Sequence, residues 1–276
     1  MCLRKVFESD IRKYHKGEII RANFRTNQSG IAEDANQWVN KKTHGKISNL
    51  ISKEEISPET KLMLLNALYF KATWSERFDK SETKEMPFHS APQKQITVPM
   101  MSQSSFFYFF EDSEVKVLGL PYEGEAVYMV ILLPKNQFGL ANFEKNLNGR
   151  KLLDYIKVPR MQRNIDVKLP KFKLEKEMDL SNALKSMGMG TAFSGSANFC
   201  GITEHQPLFI NRIKHKAFTE VQDPVTVNED GTEAAAASAV YASDSVPKHK
   251  FVADHPFLFA ICKHPAKILF LGRYAG

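Results

Sequence analysis

The sequence predicts an α+β fold in one domain spanning residues 1–276, and three observations predict it. Strand-like runs crowd residues 94–134 and 213–274, helical periodicity is confined to a few short stretches between such runs, and no repeat or low-complexity linker divides the chain. At 276 residues and 43% hydrophobic, the chain is long enough to bury a large core.

After the polar stretch from Arg25 to Ser29, apolar residues fall at Ile31, Ala35, Trp38 and Val39, the pattern of one helical face. Ser29 is placed to cap its start and Gly45 to end it. From Lys61 the pattern becomes a near-continuous apolar run, LMLLNALYF, which suits a strand buried on both faces in mid-sheet. The runs ITVPMM, SFFYFF, VKVLGLPY and AVYMVILLP follow at the spacing of an antiparallel meander. A helical interlude covers Leu140 to Ile156. The alternating segment NIDVKLPKFKLE then puts Ile165, Val167 and Leu169 on one face. Met178 to Met187 reads as a short helix, the chain is strand-like again from Ile213, and FLFAIC and KILFLGRY close it as a buried hairpin.

The longest apolar runs fall far short of the roughly 20 residues that span a bilayer, so no membrane role is expected. The start, MCLRKVFESDIRKYHKGE, lacks the apolar core of a secretory signal. Cys2, Cys200 and Cys262 stand apart without CxxC spacing and read as ordinary thiols. No metal or cofactor motif is present: there is no GxSxG, HExxH, P-loop or GxGxxG opening a helix. Ser194-Gly195-Ser196 reads as a turn rather than half of a nucleophile elbow. The net charge of +7 raises the question of a polyanion partner. Its densest groups, Lys214-His215-Lys216, Lys248-His249-Lys250 and Lys168 to Lys176, are interrupted by apolar residues and read as solvated strand faces rather than a nucleic-acid surface.

The informative segment is GTEAAAASAV, Gly231 to Val240. An alanine-rich run is a good helix former or a plain linker. With period two, however, Thr232, Ala234, Ala236, Ser238 and Val240 form one face, and Glu233, Ala235, Ala237 and Ala239 the other. Small residues on an inner face suit a strand that slides between two others.

With its flanks this segment, NEDGTEAAAAS, resembles the hinge of the serpin family of serine protease inhibitors. FVADHPFLFAI, Phe251 to Ile261, fits that family's signature near the carboxyl end, and LLNALYFKATW, Leu64 to Trp74, is similar to its central-strand motif. With ILFLGRYAG, the resemblance runs from about Phe24 to Gly276.

The resemblance implies large mixed β-sheets with surrounding helices and an exposed reactive-centre loop, residues 228–250 with the hinge. It implies an amino-terminally incomplete member, with roughly the first third of the family's fold missing. It also implies a suicide mechanism. A protease cuts the bait loop and forms an acyl-enzyme, and the freed loop inserts into the central sheet from a native fold that is not the most stable one. The chemistry is then the protease's, and the chain is not an enzyme.

Residue by residue, the resemblance assigns the hinge to Gly231, Thr232, Glu233, Ala234, Ala235, Ala236, Ala237 and Ser238. It assigns the shutter of the sheet to a buried, hydrogen-bonded Asn66 and His215. Trp74 resembles the aromatic at the top of the sheet where insertion begins. The residue before the cut bond, commonly about fourteen residues after the hinge glycine, is Ser245, followed by Val246. A small Ser suits an elastase-like or chymotrypsin-like partner better than a trypsin-like one. A heparin-like polyanion is a further expected partner, the expected state is a monomer, and the expected compartment is extracellular with the cytoplasm as the alternative. In two places the chain is expected to depart from the pattern, by the absence of roughly the family's first third and by an added stretch. Gln222 to Val227, QDPVTV, stands between HKAFTEV and NEDGTEAA, and Pro224 cannot donate to a sheet ladder. A non-inhibitory serpin acting as a binding or carrier protein is the alternative reading.

Overall fold

A computed structural model describes residues 3–157, 162–204, 207–221 and 249–276. They form two compact units, one of Met1–Phe70 with Lys173–Glu220, the other of Lys71–Phe172 with Val221–Gly276.

The first unit is built on a three-stranded sheet of β1 (Met63–Phe70), β8 (Arg212–Val221) and β7 (Phe172–Asp179), in the order β1-β8-β7. Its helix α1 (Lys5–His15) buries no residue. Helix α2 (Gln28–Lys42) carries the expected apolar stripe, with Ala32, Ala35 and Val39 buried. Its cap is not Ser29 but Asn27, two residues earlier, whose side chain accepts from the Gly30 amide. Gly45, at φ +77°, ends the helix as expected and donates its amide to Asn40 O at 2.8 Å.

Helix α2 packs on β1 through Leu65, Ala67 and Tyr69, and Phe218 of β8 joins the same cluster. The opposite parity of β1 is open: Leu64 is 42% exposed and Asn66 is exposed. The mid-sheet expectation for LMLLNALYF is therefore corrected. Among the described residues β1 pairs only with β8, so it is covered on one face and bordered on one side.

The second unit holds an eight-stranded sheet in the order β11-β10-β5-β4-β3-β6-β9, with β2 (Lys84–Ala91) paired to β3. Its strands are β3 (Lys94–Glu111), β4 (Val115–Pro121), β5 (Val127–Pro134), β6 (Gln162–Pro170), β9 (His249–Val252), β10 (Phe257–Lys263) and β11 (Lys267–Tyr274). ITVPMM and SFFYFF, expected as separate strands, are one 18-residue strand, because Ser102 to Ser105 stay extended and pair with β6. The remaining runs fall where the pattern put them, and β10 and β11 form the expected antiparallel hairpin.

Helices α3 (Leu140–Asn146) and α4 (Gly149–Lys157), expected as one interlude, pack on one face of β4, β5 and β10. Elsewhere in this unit Phe88, Phe172, Phe257, Phe259 and Tyr274 form a cluster of rings 4.7 to 6.0 Å apart. Cys262 lies buried in β10, and burial pushes its thiol up to about 11, as for an unreactive core cysteine. The chain leaves β7 at Asp179, one residue beyond the Met178 at which a helix was expected. The helix α5 (Ser181–Leu184) follows and opens into a wider turn at Lys185–Met189, where Gly188 takes φ +99°. Ser194 to Ser196 is a turn, with the Ser194 hydroxyl donating to Thr191 O.

Candidate functional site: the seam between two parallel strands

Strands β1 and β8 run parallel, with Asn66 opposite His215, Leu65 opposite Lys214 and Ala67 opposite Lys216. Because side chains alternate, His215 shares the open face with Asn66 while Lys214 and Lys216 share the α2 face with Phe218. Asn66 Oδ1 and His215 Nδ1 lie 2.8 Å apart, so the ring nitrogen donates to the amide oxygen. The pair expected from the sequence is thus brought together. Its burial is not as expected, since Asn66 is exposed and His215 half-buried on the uncovered face. Burial pushes the His215 imidazole below its ordinary value, which favours the neutral ring.

On the covered face the reading of Lys214 and Lys216 as solvated is overturned: they are 4% and 8% exposed. Lys214 Nζ is 2.5 Å from both Glu55 Oε1 and Glu177 Oε1. Lys216 Nζ is 2.9 Å from Glu175 Oε1 and donates to Asn49 O at 2.6 Å. Arg212 reaches Glu55 and Asp179. A buried ammonium needs such partners to stay charged. Burial works to lower the Lys214 value, but the hydrogen bonds to Glu177 and Glu55 outweigh it and hold the ammonium above its ordinary range. The signal for this ladder was present in the parity of RIKHKAF, which puts both lysines in phase with Phe218.

Trp74 is 2% exposed in the second unit. It stacks on Tyr122 at 4.4 Å and 10°, and backbone bonds from Ser75 to Pro121 and from Glu123 to Thr73 fix it there. Among the described residues its indole N–H finds no hydrogen-bond partner. The signature FVADHPFLFAI also has a physical role. His255 is buried, with Nδ1 2.7 Å from Asp254 Oδ1 and Nε2 2.8 Å from Pro134 O, while the Asp254 carbonyl accepts from His89 N. The dipeptide therefore ties the start of β10 to the end of β5 and to β2.

The hinge residues Gly231 to Ser238, the bond Ser245-Val246 and the departure Gln222 to Val227 lie outside the described residues. Among the described residues no group of three or more His, Cys, Asp or Glu side chains is gathered as for a metal ion, and no helix is long and apolar enough to cross a membrane.

A family model described as serpin (serine protease inhibitor) matches residues 1–276, so the match takes in the first 23 residues, which the sequence motifs had left out. The chain is 38% identical over 281 residues to the leukocyte elastase inhibitor of Equus caballus, covering 98% of this chain and 73% of that protein. Among solved structures it is similar to uncleaved ovalbumin, with a TM-score of 0.87 and 29% identity over 100% of this chain and 70% of that one. It is likewise similar to native protease nexin-1 with heparin, with a TM-score of 0.85 and 31% identity over 99% and 73%. The extracellular expectation draws no support from these relatives, whose names state no compartment. The chain belongs to the serpin family, the serine protease inhibitors.

Proposed function

We propose that the chain inhibits a serine-type protease by the serpin suicide route, presenting Ser245-Val246 as bait and inserting Gly231 to Ser238 between β1 and β8. The observation that carries this reading is the parallel β1/β8 seam, whose second strand is followed in sequence, beyond Gln222 to Val227, by a segment of alternating small residues. A chain that returns beside β8 runs antiparallel to it, and therefore antiparallel to β1 as well. One parallel pairing is then exchanged for two antiparallel ones, each somewhat stronger per residue. The link from Asn66 to His215 across the seam is a hydrogen bond that is easily broken and re-formed, which suits a shutter.

An elastase-like target is favoured by the small Ser245 and by the 38% identical leukocyte elastase inhibitor. A heparin-like polyanion is a second partner of this reading, supported by the net charge of +7 and by the heparin named with protease nexin-1. Mixing the chain with elastase-, chymotrypsin- and trypsin-like proteases tests the reading. A complex that survives denaturant, formed with the first two, is the expected result. Plain cleavage without a complex sinks inhibition and leaves a binding serpin.

A further inference from the structure

The turn at Lys53–Glu55 lies on the connector between α2 and β1, and its last residue does more than cap it. Glu55 Oε2 accepts from its own Ser52 amide at 3.0 Å. That leaves Oε1 for β8, where it meets Lys214 Nζ at 2.5 Å and Arg212 Nη1 at 3.2 Å, and Arg212 also donates to the Glu55 carbonyl at 3.1 Å. The connector is fixed to α2 as well. Asn36 donates to Ile51 O and accepts from the Leu50 and Ile51 amides at 2.8, 2.7 and 3.1 Å.

We infer that Glu55 is a lock on the Met63/Arg212 end of the β1/β8 seam, and that acid releases it. Separating β1 from β8 at that end requires breaking the Glu55 contacts or peeling the connector from α2. The neighbouring Asn211, whose side chain accepts from the Lys61 and Leu62 amides, reinforces the same end. This inference rests on the reading that the seam opens during function, and it names what limits the opening.

The charged groups facing Glu55 are Arg212 and Lys214 of β8, Glu177 and Asp179 of β7, Lys53 and Glu54 of its own turn, and Glu33 of α2. A cleft of about 520 Å³ lined by Glu33, Asn36, Asn49, Ser52, Glu55 and Glu177 gives solvent protons access to the carboxylate. Burial works to raise the Glu55 value, but the hydrogen bonds from Lys214 and Ser52 and the charges of Lys214 and Arg212 hold it below the usual carboxylate range. The lock is thus complete at neutral pH and is lost as pH falls through that depressed value.

Hydrogen exchange on the full chain, without any protease, tests the lock. In Glu55→Gln at pH 7, protection of the Leu64 to Leu68 and Ile213 to Ala217 amides should fall about tenfold, the scale of one charge-assisted hydrogen bond. Glu54→Gln, a change at an exposed neighbour, should leave it unmoved. As pH is lowered through the depressed Glu55 value the gap between wild type and Glu55→Gln should close, because protonated Glu55 is as neutral as Gln. Unchanged protection in Glu55→Gln at pH 7, or a gap that does not narrow as pH falls, overturns the lock. If Glu55→Gln fails to fold, Glu55→Asp, with its shorter reach, replaces it under the same criteria. A failed mixing experiment with intact lock behaviour sinks inhibition alone, and the reverse outcome sinks the lock alone.

Discussion

The two sheets are made by different means. In β4, β5 and β10 consecutive residues such as Val117 and Leu118, Val130 to Leu132, and Ala260 to Cys262 are all fully buried, so both faces are sealed by apolar packing. In β1 and β8 one face carries the α2 cover while the other exposes Leu64 and Asn66, and part of the cover is ionic, with Lys214 and Lys216 held by carboxylates rather than packed in hydrocarbon. An apolar interior is dense and loses contact energy with any displacement. A sheet held partly by polar fasteners can exchange partners, provided that each buried charge finds another partner as the first is lost. The contrast separates a sheet sealed on both faces from one whose fastening is partly polar, as the proposed opening of the seam requires.

The strongest way to break that contrast is to injure the scaffold. Phe259 is 2% exposed, and its ring lies 2.5 Å from where a Cβ on Gly272 would sit, so the site is filled on both sides. Phe259→Ala should cost about 3 to 5 kcal/mol in denaturant unfolding. A smaller loss would show that β10 is less tightly packed than β1 and β8. Next comes Lys214→Ala, which removes an ammonium shared by Glu55 and Glu177. A cost of about 2 kcal/mol is expected, because the carboxylates keep some access to water. Stability unchanged by this substitution would mean the ladder fastens nothing.

The Asn66 to His215 link is smaller again. A double-mutant cycle with Asn66→Ala and His215→Ala should give a coupling of about 1 kcal/mol. Because burial lowers the His215 value in the fold, its contribution is whole above about 6.5 and is lost as pH falls below that towards the depressed value. His215→Gln should flatten this part of the pH profile of the unfolding midpoint between pH 7.5 and 5. A slope that survives belongs to other groups. Smallest of all, Leu64→Lys on the open face should change stability by less than about 0.5 kcal/mol. A large cost would show that the face is covered after all.

Strand and helix identities were legible wherever one face is clearly apolar. Ile165, Val167 and Leu169 are each fully buried, and the stripe of α2 lies where its period placed it. Errors came where the competing signals were local. Asn27 and Ser29 are both good caps, and the choice depended on which side chain the free amides of the first turn, Gly30 N among them, could reach. LMLLNALYF is apolar at positions of both parities, so periodicity could not say that one face would stay open. Two lysines flanking a histidine looked like surface, because charge is normally hydrated. The carboxylates that made their burial affordable lie some 37 residues away at Glu177 and far earlier at Glu55.

By itself the sequence determined the family, through motifs that each carry a local physical demand: small residues at period two, an apolar strand bearing one Asn, and an Asp-His-Pro turn before a buried strand. It also placed most of the strands, though not β2, since alternation is a property of neighbours in the chain. Only the tertiary structure decided which strand borders which, that β1 and β8 meet in parallel with Asn66 against His215, and that Glu55 reaches across to Lys214. Those contacts join residues about 150 positions apart, and the free energy of such a contact depends on the burial and partners that folding supplies rather than on any local pattern.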